Sequence, residues 1–300
     1  MNFWWVNQNQ TFSSEIGGGY LWSPKTKKDG GRNVFYDNMT AVRPGDIIFS
    51  FYGQHIGTLG VAQGPAVTSQ KPEEFGAITN WSKEGWRLPV RFFKAETAIR
   101  PADHMDVIGP LLPDKYAPLQ ASGRGNQGVY LAALSPELGK LLLHLCDSEN
   151  SVAVDETTEI TTEQRTDIPA TTKMQIVQAR RGQGAFREGV IKIEKQCRVT
   201  GLSESGFLVA SHMKPWSVSS DEEKLDGNNG LLLAPHIDRL FDRGYISFED
   251  DGSLLISSAL PEEVAKAWGL RDKYTPRSFR KAQLPYVAYH RKDVFKREQD

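Results

Sequence analysis

The stretch that decides the fold of the C-terminal half runs from Ala210-Ser-His-Met-Lys-Pro-Trp216 to Asn228-Asn-Gly-Leu-Leu-Leu-Ala-Pro-His-Ile-Asp-Arg-Leu-Phe-Asp-Arg-Gly244. Leu208–Ser211 and Gly230–Ala234 read as short strands, a long polar loop separates them, and Ile237–Phe241 reads as a short helix. A hairpin follows, Tyr245–Phe248 and Leu254–Ser257, joined by the turn Glu249-Asp250-Asp251-Gly252. Two strands, a loop and a short helix thus gather His212, Asn229 and Asp238. Phosphodiester hydrolysis needs a base to deprotonate the attacking water, and a cation against the charge that builds on phosphorus and on the leaving oxygen. A histidine at a strand end, with a hard oxygen ligand on a nearby helix, meets both needs.

With Cys197-Arg-Val-Thr-Gly201 added, these blocks resemble the HNH endonuclease family, specifically the subgroup common in bacterial restriction enzymes, over about residues 183–257. The resemblance implies a ββα-metal domain in which His212 is the general base, close to its operating pH without a large pKa shift. It makes Asn229 the residue that hydrogen-bonds across the loop to hold the base. Asp238 falls where many members carry a histidine that ligates the metal, so the triplet here is His-Asn-Asp and an oxygen ligand favours Mg²⁺ or Mn²⁺. Ser211 occupies a position that is often Asp and a second ligand. His236 is a further candidate ligand, although two residues before Asp238 it points to a different helix face. Asp242 reads as a local cap or salt bridge. Plainer readings stand beside these: a hydrogen-bonded core histidine for His212, and a turn residue in an Asn-Asn-Gly corner for Asn229. Cys197 matches a metal-site position of zinc-bearing relatives, but Cys146 is the only other cysteine, so no zinc ribbon can be assembled. It reads as a small core residue.

Charge is segregated along the chain. The total is -1, yet residues 146–172 carry one basic and seven acidic groups, and residues 173–215 carry eight basic and three acidic. The acidic piece has no aromatic residue and few large aliphatics, which is the composition of an interdomain linker. The basic piece includes a helix over Thr172–Gln196, interrupted at Gly182 and Gly184, with Arg180, Arg181 and Arg187 along it; Lys214 follows His212. These four are candidate contacts to a DNA backbone, since phosphate contacts position a duplex without reading its sequence. A solvated helix face is the plainer alternative.

Upstream, Asn2–Val6, Asp46–Tyr52, His55–Ala62 and Leu88–Phe93 read as strands, with helices around Val34–Val42 and Ser135–Leu145. Many strands and few helices make a small curved sheet or barrel. The blocks Met1-Asn-Phe-Trp-Trp5, Gly30-Gly-Arg-Asn33, Arg43-Pro-Gly-Asp46 and Ile56-Gly-Thr-Leu-Gly-Val-Ala62 look like an EVE domain, a PUA-like module related to YTH and ASCH domains, over most of residues 1–130. That resemblance implies a pocket for a flipped, modified base. Five of the seven tryptophans lie here, and a base held out of the stack needs aromatic faces and hydrogen bonds to its edge. Trp22, Ser23, Asn33 and Trp81 are the candidate pocket residues, with Asn7 and Gln8 as alternative edge readers. Lys115 and Arg124, in a Gly/Pro-rich loop, are candidates to lie along the backbone of the duplex.

The expectation is an α+β protein with a PUA-like curved-sheet reader (1–145), an acidic linker (146–172), an HNH nuclease (173–290) and a charged tail (291–300). It would use a divalent metal ion, Mg²⁺ or Mn²⁺, to cut double-stranded DNA carrying modified cytosine, 5-hydroxymethylcytosine foremost. One HNH centre cuts one strand, so a homodimer is expected. No apolar run has the ~18 residues of a membrane span, and no secretory signal is visible, which places the protein in the cytoplasm. An RNA-directed HNH nuclease and a non-catalytic binding protein are the competing classes.

Overall fold

The apolar run Phe3-Trp-Trp-Val-Asn7 becomes strand β1 (Phe3–Asn7), an interior strand of the N-terminal sheet one place from its edge. Phe3 and Trp5 enter one hydrophobic core, Trp4 and Val6 the other. A strand covered on both faces requires such a run without polar alternation. The structure, a computed structural model, describes residues 1–76, 82–147, 152–180, 183–270 and 275–296. It divides into two units, Met1–Arg165 and Thr166–Asp300. Among the described residues no helix is long and apolar enough to cross a membrane.

After β1 the first unit continues with α1 (Phe12–Gly18), β2 (Tyr20–Pro24), α2 (Val34–Asp37), β3 (Ile47–Tyr52), β4 (His55–Ala62), β5 (Val67–Gln70), β6 (Glu84–Ile99), α3 (Met105–Ile108), β7 (Leu131–Leu134), α4 (Pro136–Leu145) and α5 (Val152–Glu163). The sheet order is β2-β6-β4-β3-β1-β7, with β5 also on β6. β1 and β3 are parallel, and the other pairs are antiparallel. The long β6 pairs with β4 through Val90–Ile99 and lies between β2 and β5 over its first residues, which curls the sheet into a half-barrel. The α+β class and the curved sheet are as expected. Ser135 caps α4 by accepting from the Leu138 amide at 3.1 Å, with Pro136 at the first helical position. Gly139 of that helix rests on Phe3, where a Cβ would stand 2.1 Å from the ring.

The acidic segment is where expectation and structure part. Residues 152–163 are not a linker but helix α5, with Ala153 and Val154 in the core beneath the sheet. Thr161 presses on Gly45, whose φ of +84° and 2.7 Å virtual Cβ distance leave no room for a side chain. Val, Ala and Thr supply a thin apolar face that hydropathy alone undervalues. The unit boundary falls after Arg165.

The second unit holds α6 (Ala170–Arg180), α7 (Gly184–Glu194), β8 (Val209–His212), α8 (Asp221–Leu225), β9 (Gly230–Leu233), α9 (Pro235–Asp242), β10 (Ile246–Phe248), β11 (Leu254–Ile256), α10 (Glu262–Ala267) and α11 (Leu284–Asp293). The basic helix is indeed broken near Gly184, which has φ +65°. Cys197–Thr200 form a turn closed by Gly201 N to Cys197 O at 3.0 Å. Cys197 is fully buried, and its Sγ accepts from the amides of Thr200 and Ala234, each at 3.4 Å. The expected tail is folded through residue 296: Arg291 pairs with Asp250 at 2.8 Å, and the Lys296 amide donates to Gly244 O at 2.9 Å. Glu194, buried, joins Arg198 and Arg277, and accepts from Gln283 at 2.8 Å, tying the segment after residue 275 to α7.

Candidate active site and ligand cavity

β8 and β9 pair antiparallel with His212 opposite Gly230, and α9 follows directly, so the second unit contains a ββα arrangement. His212 ends β8. Its Nε2 lies 3.0 Å from the carbonyl of Lys224, and a carbonyl can only accept, so Nε2 carries the proton and Nδ1 keeps its lone pair. One face of the ring is parallel to Phe186 at 3.8 Å and 3°, and Trp216 meets it edge-on at 5.4 Å. Burial pushes the imidazole pKa down to about 4, aided by the positive charges of Arg180 and Lys224, while the Lys224 carbonyl pulls it up. The expectation of a nearly unshifted histidine is therefore corrected: the ring is neutral throughout the physiological range.

Asn229 is fully buried. Its Oδ1 accepts from Lys214 N at 2.8 Å, and its Nδ2 donates to Glu223 O at 2.9 Å. It thus clamps both ends of the 214–223 loop, and the next carbonyl after Glu223 is the one that holds His212. Asn229 acts on the histidine through this loop rather than by touching it.

Asp238 and Asp242 stand one helical turn apart on α9 and so share a face. Ser211 Oγ donates to Asp242 Oδ1 at 3.1 Å and is also a hydrogen-bond partner of Asp238. Burial raises Asp238 to about 6, against the pull of Ser211. Its Oδ1 is buried and meets no donor among the described residues. Among those residues no three His, Cys, Asp or Glu side chains cluster tightly enough to hold a metal by themselves. Two carboxylates, one of them with an orphaned buried oxygen, and one hydroxyl nevertheless fit a hard divalent cation of the Mg²⁺ type, which commonly takes one or two carboxylates and fills its remaining positions with water and phosphate oxygens. Asp242 was read from sequence as a cap or salt bridge; its spacing of four from Asp238 was the available signal. His236 faces elsewhere, edge-on to Trp268 at 5.7 Å.

The proposed phosphate contacts fare unevenly. Arg187 is spent on structure, donating to Leu208 O at 2.9 Å and Ser205 O at 2.5 Å. Lys214 is paired with Glu223 at 2.6 Å. Arg180 lies over the Trp216 ring at 5.9 Å, beside the site. Arg181 lies outside the described residues.

In the first unit a cavity of about 280 Å³ is lined by Asn7, Thr11, Ser23, Tyr36 and Tyr130, among others. Of the expected pocket residues, Ser23 lines it. Trp22 does not: it is fully buried in the core, edge-on to Phe75 at 5.9 Å. Asn33 caps α2, accepting from Phe35 N at 3.0 Å, and also hydrogen-bonds Tyr36, so it stands one residue behind the wall. Trp81 lies outside the described residues. Asn7 reaches the cavity, but its amide already accepts from Trp5 Nε1 at 2.7 Å and donates to Pro118 O at 3.1 Å. Gln8 belongs to a buried network around Glu15, whose carboxylate accepts from Gln8 Nε2 and Thr11 Oγ1, both at 2.8 Å, from Trp22 N at 2.9 Å and from the Tyr130 hydroxyl. Burial raises the Glu15 pKa, and these donors oppose the rise. Neither Tyr130 nor Glu15 was singled out from sequence.

Residues 197–249 match the HNH endonuclease family, so the second unit contains an HNH domain. No curated protein matches the chain. Among solved structures, the chain is similar to Rpa0253 from Rhodopseudomonas palustris (13% identity, 49% of this chain and 92% of that one, TM-score 0.31). It is also similar to Atu2648 from Agrobacterium tumefaciens (14%, 49% and 92%, TM-score 0.31), and to the Pho92 YTH domain in complex with m6A (12%, 48% and 85%, TM-score 0.31).

Proposed function

We propose that the protein is an endonuclease that cuts double-stranded DNA near modified cytosine, 5-hydroxymethylcytosine foremost, with the second unit performing hydrolysis and the first reading the modification. The observation that carries the nuclease half is the imidazole of His212, which ends a strand of the ββα arrangement and whose Nε2 is committed to Lys224 O, leaving the Nδ1 lone pair to accept a proton. In this reading Nδ1 takes a proton from a water placed in line with the scissile bond. Asn229 keeps the loop, and with it the imidazole, in register. A divalent cation held by Asp238, Asp242 and Ser211 would stabilise the charge on the phosphorane and on the leaving 3′ oxygen. Arg180, beside the site, is the remaining described candidate among the four proposed phosphate contacts.

The reader half is supported by the cavity of about 280 Å³ with two tyrosines in its wall, close to the lower end of the range of small-ligand sites. Tyr36 and Tyr130 would supply aromatic surface, and Ser23 and Thr11 hydrogen-bonding groups, to a flipped base. Since one centre cuts one strand, a double-strand break calls for two copies, hence a homodimer. The test is digestion of matched DNAs with plain, 5-methylated and 5-hydroxymethylated cytosine, and of structured RNA, in Mg²⁺, Mn²⁺ or EDTA. The reading requires metal-dependent cleavage confined to the modified DNAs; equal cutting of plain DNA removes the reader half, and cutting of RNA alone replaces the substrate.

A further inference from the structure

Phe186 lies on α7, outside the residues 197–249 that match the HNH family. It is fully buried, and its ring covers one whole face of the His212 imidazole at 3.8 Å between centroids and 3° between planes. Room for it is made by Gly230, the residue directly opposite His212 across the two strands. A Cβ at position 230 would stand 3.0 Å from Phe186 Cζ and 2.2 Å from Val190 Cγ2. The imidazole is therefore fixed on three sides: by Phe186 on its face, by the Lys224 carbonyl at Nε2 and by the edge of Trp216. A hydrogen bond at one nitrogen leaves the ring free to swing about that contact, whereas a parallel ring at van der Waals distance sets its plane. The direction of the Nδ1 lone pair is the quantity so determined.

We propose that Phe186 is a positioning residue for hydrolysis: it sets the plane of His212 and aims Nδ1 at the attacking water. The proposal rests on the reading of His212 as the base. It follows that α7 is part of the active centre and not only a basic helix ahead of it, and that replacing the flat ring by an aliphatic side chain impairs turnover more than binding.

The experiment compares the full-length parent, Phe186→Leu and Val190→Ala on a duplex containing 5-hydroxymethylcytosine in Mg²⁺. Val190 sits one turn along the same helix in the same core, so its truncation controls for lost packing. F186L is expected to lower kcat about tenfold or more with KM changed less than about twofold, because misplacing a reacting group acts on the chemical step. V190A, at a similar loss of Tm, is expected to keep kcat within about twofold of the parent. Imidazole nitrogen NMR reads the same geometry without turnover: the parent gives a single Nε2–H form for His212, and F186L gives a mixture of tautomers. Parental kcat in F186L, or an equal loss in V190A, overturns the proposal. A parent that cleaves none of the DNAs defeats the nuclease reading itself, and the nitrogen spectra then decide the positioning of the ring: an unchanged His212 signal in F186L overturns it.

Discussion

The Ser211 hydroxyl donates to Asp242 Oδ1 at 3.1 Å and also engages Asp238, so one serine joins two carboxylates a helical turn apart. Holding two half-buried carboxylates together costs free energy unless a cation joins them. Asp238→Asn and Asp242→Asn are accordingly expected to abolish cleavage, by about a hundredfold or more, without loss of stability in EDTA. Mn²⁺ should raise the Tm of the parent and not that of D238N. Thermal unfolding with and without Mn²⁺ checks this, and a Tm rise of equal size in D238N removes the metal assignment.

Asn229 offers a different signature, because both ends of its amide are used inside the protein. Asn229→Ala leaves a buried amide and a buried carbonyl without partners, a loss of about 1–3 kcal/mol. Urea unfolding should show that loss together with a fall in kcat, since the loop that carries the Lys224 carbonyl is released.

Glu15 presents the same logic in the first unit. Four donors converge on it, and each carboxylate oxygen faces one group that can only donate, Gln8 Nε2 or Trp22 N, so Glu15→Gln sets an amide N–H against one of them and destabilises by about 2 kcal/mol. Thr11 and Tyr130, which line the cavity, lose their common anchor. Chemical denaturation measures the first effect, and binding of hydroxymethylated duplex in EDTA measures the second: E15Q should bind it more weakly than the parent does.

Acid stability is set in part by His290, buried on α11 with Nε2 3.0 Å from Phe241 O, Nδ1 3.0 Å from Ser247 Oγ and its ring stacked on Phe241 at 3.7 Å. Burial pushes its pKa down to about 4. The unfolded chain, with a histidine pKa near about 6.5, binds the proton first. Stability is thus full above about pH 6.5 and is lost as the pH falls toward 4, by about 3 kcal/mol for this one group. His290→Gln should flatten the slope of unfolding free energy against pH in that window, as measured by urea titrations from pH 7 to 4.5. An unchanged slope contradicts the assignment.

Much of the ββα arrangement of the second unit was legible because its candidate residues are spaced along a short stretch: a histidine at a strand end, an asparagine at a turn and an aspartate on the next helix. The pairing of Asp242 with Asp238 was not legible, because it acquires meaning only once Ser211 is seen to reach both. The charges of Arg187 and Lys214 were visible, but their partners, two backbone carbonyls and Glu223, lie far enough along the chain that only the fold reveals them. Trp22 shows the limit for aromatic residues: the same side chain suits a pocket wall and a core, and Gly85, where a Cβ would stand 2.4 Å from its ring, closes the core around it. Helix α5 was hidden by a composition of Val, Ala, Thr and Glu that resembles a solvated segment, although its small residues are what allow close packing on Gly45.

The proposed function stands on His212 as the base in metal-dependent hydrolysis of modified DNA. Single-turnover cleavage of one duplex, prepared with plain or 5-hydroxymethylated cytosine, tests it most directly when the parent and His212→Ala are compared in Mg²⁺. The parent is expected to cleave the hydroxymethylated duplex and little or none of the plain duplex, and H212A to be at least about a hundredfold slower. Cleavage by H212A at the parental rate would contradict it.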